Sequence, residues 1–254
     1  MKGLVIRRHR FGRFDVDSHG ALLNVVLDVS KSNASPIGCT TGPEIPDELP
    51  PTTVRPDDLP EELMDAAVNE AQLAGIRAQR LLLSRARLVK VNLTESTLSR
   101  LHATDVAIQN CNLSNAHLPE ASFRRVRLSG SKLSGIAVSK GSFTDVEFRQ
   151  CRLDFASFDE VKFKHVTFDG CRIREADFSR TSFDHVRFVD CDLARALFGR
   201  VRTANSEMRR CGLTELRGLG ELRGFSMEWN DILAHAQLFA SALGIEIASE
   251  TSSR

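Results

Sequence analysis

Every fifth residue from Leu73 to Leu213 is apolar, with Thr203 the single exception among 29 positions. With 42 % hydrophobic residues in the whole chain, a random frame would place about 12 apolar residues there. The spacing is therefore imposed by structure. The positions two residues earlier are uncharged throughout and mostly small or β-branched, as at Ala116, Ala156, Val166, Ala176, Val186 and Ala196. The other three positions of each unit carry nearly all the Arg, Lys, Asp, Glu, Ser and His. Two rows point inward and three face water.

A period of five matches neither the 3.6 of a helix nor the 2 of a strand, so the chain must turn every five residues. A second period shows how many units close one turn. Cys111, Cys151, Cys171, Cys191 and Cys211 recur at multiples of 20 residues, and so do Val106, Val126, Val146, Val166 and Val186. Four units make one coil, and coils stack at strand spacing, about 4.7 to 4.9 Å. From 71 to 213 the frame never slips, which predicts a little over seven coils in a shaft roughly 34 Å tall. On the outside, Glu120, Lys140, Glu160 and Arg180 form a column of alternating sign, a favourable arrangement across neighbouring strands.

Units such as Ala156-Ser157-Phe158-Asp159-Glu160 and Ala176-Asp177-Phe178-Ser179-Arg180 resemble the A-(D/N)-L-x-x unit of pentapeptide-repeat proteins, and the pattern covers 143 of 254 residues. The resemblance implies an all-β fold, a right-handed quadrilateral β-helix filled by the central Leu or Phe and by the small residue two before it. The sequence departs from the unit where Arg or Lys replaces the usual Asp or Asn, at Arg127, Lys132, Arg152, Lys162, Arg172, Arg187 and Arg202.

A solenoid exposes its interior at both ends and needs caps. Asp57-Asp58-Leu59-Pro60-Glu61-Glu62 suits a helix start and predicts a short capping helix near 60–68. At the other end Trp229, Ile232, Leu233, Ala236, Phe239, Ala240 and Leu243 recur at helical spacing before Gly244. They predict a helix over the last coil, followed by a short strand at Ile245-Glu246-Ile247. Seven of the eight prolines lie between 36 and 60 and read as an extended linker. Strand-like runs at Leu4-Val5-Ile6 and Leu22–Leu27 leave residues 1–35 open to two readings, a hairpin or disorder. The chain thus divides into an N-terminal extension (1–38), a Pro-rich linker with a capping helix (39–70), the β-helix (71–215) and a C-terminal capping segment with a helix (216–254).

Charge changes the picture more than composition does. Residues 71–215 hold 24 basic and 16 acidic side chains, net +8, while 1–70 are net −5 and 216–254 net −2. No run approaches the roughly 18 apolar residues of a membrane span. Only three consecutive apolar residues precede Arg7-Arg8, too few for a secretory signal, and the protein reads as cytoplasmic with no membrane partner.

Little in the outer rows points to chemistry. One zinc ion cannot reach four cysteines stacked over about 14 Å, because it holds sulfur at about 2.3 Å, so Cys151, Cys171, Cys191 and Cys211 read as buried thiols. His165 and His185 share a column with Asp145 and Asn205, but an exposed column without a cleft reads as solvated. Nucleophile elbows, phosphate loops and paired metal motifs are absent from the sequence. The expectation is no catalytic residue, no cofactor and no metal.

The functional expectation is a non-enzymatic scaffold offering flat faces to an unidentified protein. The candidate surface is the column Lys132, Arg152 and Arg172, the face with Arg124, Arg125, Lys162 and Lys164, and the pair His165 and His185. These cations also admit direct nucleic-acid binding. From the resemblance comes another alternative, since some pentapeptide-repeat proteins imitate duplex DNA and modulate DNA gyrase, a type II topoisomerase. That mimicry requires a negative shaft, and this one is positive. Family members can dimerise through their C-terminal ends; here Leu238 is the only large apolar residue expected on the far side of the capping helix, which favours a monomer.

Overall fold

A five-residue unit becomes one side of a square when its last residue takes a left-handed backbone conformation. The computed structural model describes residues 40–247. Between Asp65 and Glu215 nearly every fifth residue has positive φ, from 47 to 59° where it is not glycine. Most of these corners hold Arg, Lys, Asp, Glu or Asn, for which the conformation is unfavourable in isolation. Stacking offsets that strain, because each corner amide donates to the coil above, as Phe155 N–H does to Arg174 O (2.9 Å) and Glu175 N–H to Ala194 O (2.9 Å).

The coils stack in parallel at the 20-residue offset. Phe143 faces Phe163, which faces Phe183, and Val146 faces Val166, which faces Val186. Two adjacent sides merge into one wide sheet, whose strands include Leu101–Gln109, Ser122–Ser129, Ser142–Arg149, Lys162–Asp169 and Ser182–Val189. A third side is a narrower sheet running from Arg77–Ala78 to Ser157–Asp159. Single bridges such as Lys132↔Arg152 and Arg152↔Arg172 hold the fourth. The four units per coil expected from the two periods, and the all-β quadrilateral β-helix that the resemblance implies, are the architecture.

It begins earlier than 71. Glu62–Met64 and Ala67–Asn69 are strands, with Leu63 opposite Leu83 and Val68 opposite Leu88, so no helix occupies 60–68. Leu63 and Val68 continue the inward row one coil below Leu83, and burial in that lattice outweighs the helix-start signals at Asp57 to Glu62. Eight strand layers run up the wide sheet from Glu62–Met64 to Ser206–Arg209, where a little over seven coils had been expected.

The Pro-rich segment is not a free linker. Ala67 N–H donates to Pro50 O (3.0 Å), Thr52 N–H donates to Ala67 O (2.8 Å), and Glu44 N–H donates to Asp105 Oδ1 (3.0 Å). Val54 is buried and Leu59 packs on the core, which closes the N-terminal end. The hairpin-or-disorder reading of 1–35 lies outside the described residues.

Phenylalanine ladders fill the upper shaft. Phe148 and Phe168 stack with ring centroids 4.7 Å apart, and Phe158 and Phe178 at 5.2 Å. Full burial of each ring is worth about 1.5 to 3 kcal/mol. Above this the inward residues shrink, from Phe183 to Thr203 and from Phe198 to Gly218. Phe225 turns into the space, its ring 5.7 to 6.2 Å from those of Phe183, Phe188 and Phe198. It belongs to a ninth strand, Phe225–Met227, where Phe225 pairs with Ser206, an offset of 19 rather than 20. The repeat ends at that slip.

The C-terminal helix is broken in two, α1 (Trp229–Ala234) and α2 (Ala236–Ala242), and no strand forms at 245–247. The break falls at His235, whose ring Nε2 bonds the Cys211 carbonyl (2.8 Å) and anchors the cap to the last coil. The helical faces differ from expectation as a result. Leu238 and Phe239 pack on the core, while Trp229, Leu233 and Leu243 stand exposed. No helix among the described residues is long and apolar enough to cross a membrane.

Candidate functional site

The register of the wide sheet decides which candidate side chains meet. Arg124 and Lys164 lie on strands separated by that of Thr144, about 9.6 Å apart at two strand spacings. Lys162 and Lys164 share a strand and both are exposed. Arg125 is tied down: its guanidinium donates to both carboxylate oxygens of Asp105, at 2.7 and 2.5 Å. The Arg125 contact holds the Asp105 carboxyl below its ordinary value of 3.8, against the opposing effect of burial. The expected four-cation face is therefore one neutralised arginine and three cations without an ion-pair partner among the described residues.

On the bridged side, Lys132, Arg152 and Arg172 do form one column. Arg172 is engaged by Asp154, whose carboxylate is almost wholly buried beneath it. Lys132 and Arg152 have no ion-pair partner among the described residues. Next to Asp154 stands Phe155, 61 % exposed in a left-handed conformation (φ 59°), a residue that period and charge gave no reason to single out.

The two histidines are neighbours, with ring centroids 4.9 Å apart. His165 Nδ1 is 3.7 Å from Asp145, the column partner expected from the sequence. His185 instead pairs with Asp184 on its own strand, at 2.7 Å. No group of three or more potential metal ligands occurs among the described residues. Cys111, Cys151, Cys171, Cys191 and Cys211 are buried free thiols, and each S–H donates to a carbonyl two residues earlier, as Cys191 does to Val189 O (3.3 Å). Burial pushes the Cys111 thiol above its ordinary range, the direction that suppresses reactivity.

One concavity was not expected from the sequence. An open groove of about 380 Å³ follows the edge where the narrow and wide sheets meet, lined by Glu160, Val161, Lys162, Arg180, Ser182, Arg200 and Arg202. Of these only Lys162 stood among the candidates. Arg200 was legible as a break in the sign alternation of its edge, had that column been followed one coil past Arg180, and Arg202 as one of the cations that replace the usual Asp or Asn.

Residues 141–217 match the family described as a pentapeptide repeat region, and residues 104–140 the family described as pentapeptide repeats (8 copies). No curated protein matches the chain. Similar solved structures include a trypsin-treated variant of QnrB1, a plasmid-mediated fluoroquinolone resistance protein, at 14 % identity over 74 % of this chain and 99 % of that one, TM-score 0.36. Another is HetL, a pentapeptide repeat protein involved in heterocyst differentiation regulation from the cyanobacterium Nostoc sp. strain PCC 7120, at 13 % identity over 65 % and 89 %, TM-score 0.26. A third is a pentapeptide repeat protein of the Arabidopsis thaliana thylakoid lumen, at 17 % identity over 51 % and 74 %, TM-score 0.32.

Proposed function

We propose that this chain, a pentapeptide-repeat protein, is a non-enzymatic scaffold that holds a protein partner against its flat outer sides. The observation that carries this reading is the fixed placement, on hydrogen-bonded walls, of cations that have no ion-pair partner among the described residues. Lys132 and Arg152 stand one bridge apart on one side, and Arg124 and Lys164 stand two strands apart on the wide sheet. A surface locked in place before contact loses little conformational entropy on binding, and separated cations select a partner of complementary negative pattern.

The test is affinity capture with the full chain and two charge-reversal variants, Lys132→Glu/Arg152→Glu and Arg124→Glu/Lys164→Glu. The scaffold reading expects one protein retained by the parent, lost by one variant and kept by the other. A gel shift at low and high salt and a gyrase supercoiling assay address the alternatives. Salt-sensitive DNA retardation, or inhibition of gyrase without DNA binding, would replace the scaffold by nucleic-acid binding or topoisomerase modulation respectively.

A further inference from the structure

We infer that the groove along the edge between the two sheets is a binding site for a small di- or polyphosphate ligand. The argument starts from how the shaft treats charge elsewhere. Side chains 20 residues apart stack one strand spacing apart, and many cations meet a carboxylate there: Arg85 and Asp65, Lys90 and Glu70, Arg125 and Asp105, Arg187 and Glu207, Arg210 and Asp190. Along the groove edge Arg180 pairs with Asp159 at 2.5 Å and lies 3.8 Å from Glu160, the carboxylate 20 residues before it.

One coil higher the rule breaks. Arg200 follows Arg180 where an acid would continue the alternation. In the adjoining column Lys162 is opposite Ser182, which is opposite Arg202, so a hydroxyl occupies the level between two cations. Lys162, Arg200 and Arg202 have no carboxylate partner among the described residues, and all three line one concavity. Like charges stacked on neighbouring strands repel. An anion in the groove relieves that repulsion, and arginine's planar fork matches phosphate oxygens with two parallel hydrogen bonds.

Size and surroundings select the ligand. The groove volume of about 380 Å³ suits a small molecule rather than a length of nucleic acid. Glu160 at its lower lip opposes a polyanion at that end of the groove. Cations spread over two strand spacings, about 9.6 Å, accommodate two or more linked phosphates better than one.

The experiment uses the full chain with inorganic pyrophosphate as probe, read by thermal melts and titration calorimetry at fixed ionic strength. Four proteins are compared: the parent, Arg200→Ser/Arg202→Ser, Lys162→Ser, and Lys132→Ser/Arg152→Ser as a control on a different side. All substitutions are at exposed positions, and circular dichroism checks that the coil is intact. The expected result is saturable binding that raises the melting midpoint of the parent and the control. The Arg pair variant should lose it by tenfold or more, about the loss of one charge-assisted contact, and Lys162→Ser should weaken it. No saturable binding to the parent, or equal binding to all four proteins, overturns the site. Displacement of pyrophosphate by a short DNA duplex at lower phosphate concentration overturns the small-ligand assignment.

Discussion

Phe168 lies flat on Phe188, with ring centroids 4.8 Å apart and ring planes within 3°. The same ring stacks on Phe148 below it at 4.7 Å, so removing it opens the ladder on both sides. Phe168→Ala should destabilise by about 3 to 5 kcal/mol. Lys164→Ala, on the outer side of the same strand, should change stability by less than about 0.5 kcal/mol. Denaturant titration compares them, and equal midpoints would contradict the assignment of inward and outward rows.

Asp105 joins the shaft to the segment that precedes it, accepting from Arg125 and from Glu44 N–H. Its carboxyl is held below its ordinary value chiefly by the hydrogen bond from Arg125. A depressed folded-state value means the stabilisation is complete above the unfolded value of 3.8 and is lost as pH falls through the folded one. Asp105→Asn should therefore lower the melting midpoint at neutral pH, with the gap from the parent narrowing below about pH 4. A gap independent of pH between neutrality and strong acid would remove Asp105 from any role as a carboxylate.

The repeat was legible because one physical demand, filling a narrow interior, acts on every coil and leaves the same mark at Phe143, Phe163 and Phe183. The ends were not, since each is built once. Asp57-Asp58-Leu59-Pro60 carries good helix-start chemistry, yet Leu63 and Val68 gain more by continuing the inward row, and local propensity loses to that burial. Phe225 was missed because its 19-residue offset from Ser206 leaves the frame. On the surface, the columns were read correctly from the 20-residue period. What the period does not reveal is which cation reaches a neighbour: Arg172 finds Asp154 through an offset of 18, and His185 finds Asp184 next to it.

Gly218 is where the coil stops. It has φ 83°, and a Cβ there would lie 1.9 Å from Phe198 O, a backbone atom that cannot yield. Gly218→Ala should displace the segment that brings Phe225 over the interior, with a loss of several kcal/mol of the kind seen when a left-handed glycine at a close approach is replaced. Gly220→Ala, with nothing within 4 Å of the new carbon, serves as the control and should be near neutral. Thermal melts that rank the two alike would mean the cap does not depend on Gly218.

The nested periods make a sharper test of the architecture. Deleting Cys151 to Gly170 removes one full coil and joins Gln150 to Cys171. Val186 then faces Val146 in place of Val166, and Phe183 and Phe188 face Phe143 and Phe148, so these inward columns of the wide sheet continue with the same residue type or a close one. The arginine ion pairs lost are Asp154 with Arg172, Asp159 and Glu160 with Arg180, and Asp169 with Arg149, each with its arginine exposed and screened by solvent. This variant should fold with a cooperative melt. Deleting only Cys151 to Glu160 keeps the five-residue pattern but rotates everything downstream by two sides. At the cut, strands of the wide sheet would then meet the bridged side and the narrow sheet, Cys171 would stand over Gly141 and Val166 over Ile136, while the coils above keep their own register, Phe225 over Phe183, Phe188 and Phe198 included. The misfits are confined to that junction, where voids and clashes cost about 1 to 5 kcal/mol each, so this variant should melt well below the parent. Circular dichroism and thermal melts of both variants beside the parent decide it. The larger deletion should melt close to the parent and the smaller one well below it; the opposite ranking would be incompatible with four units per coil.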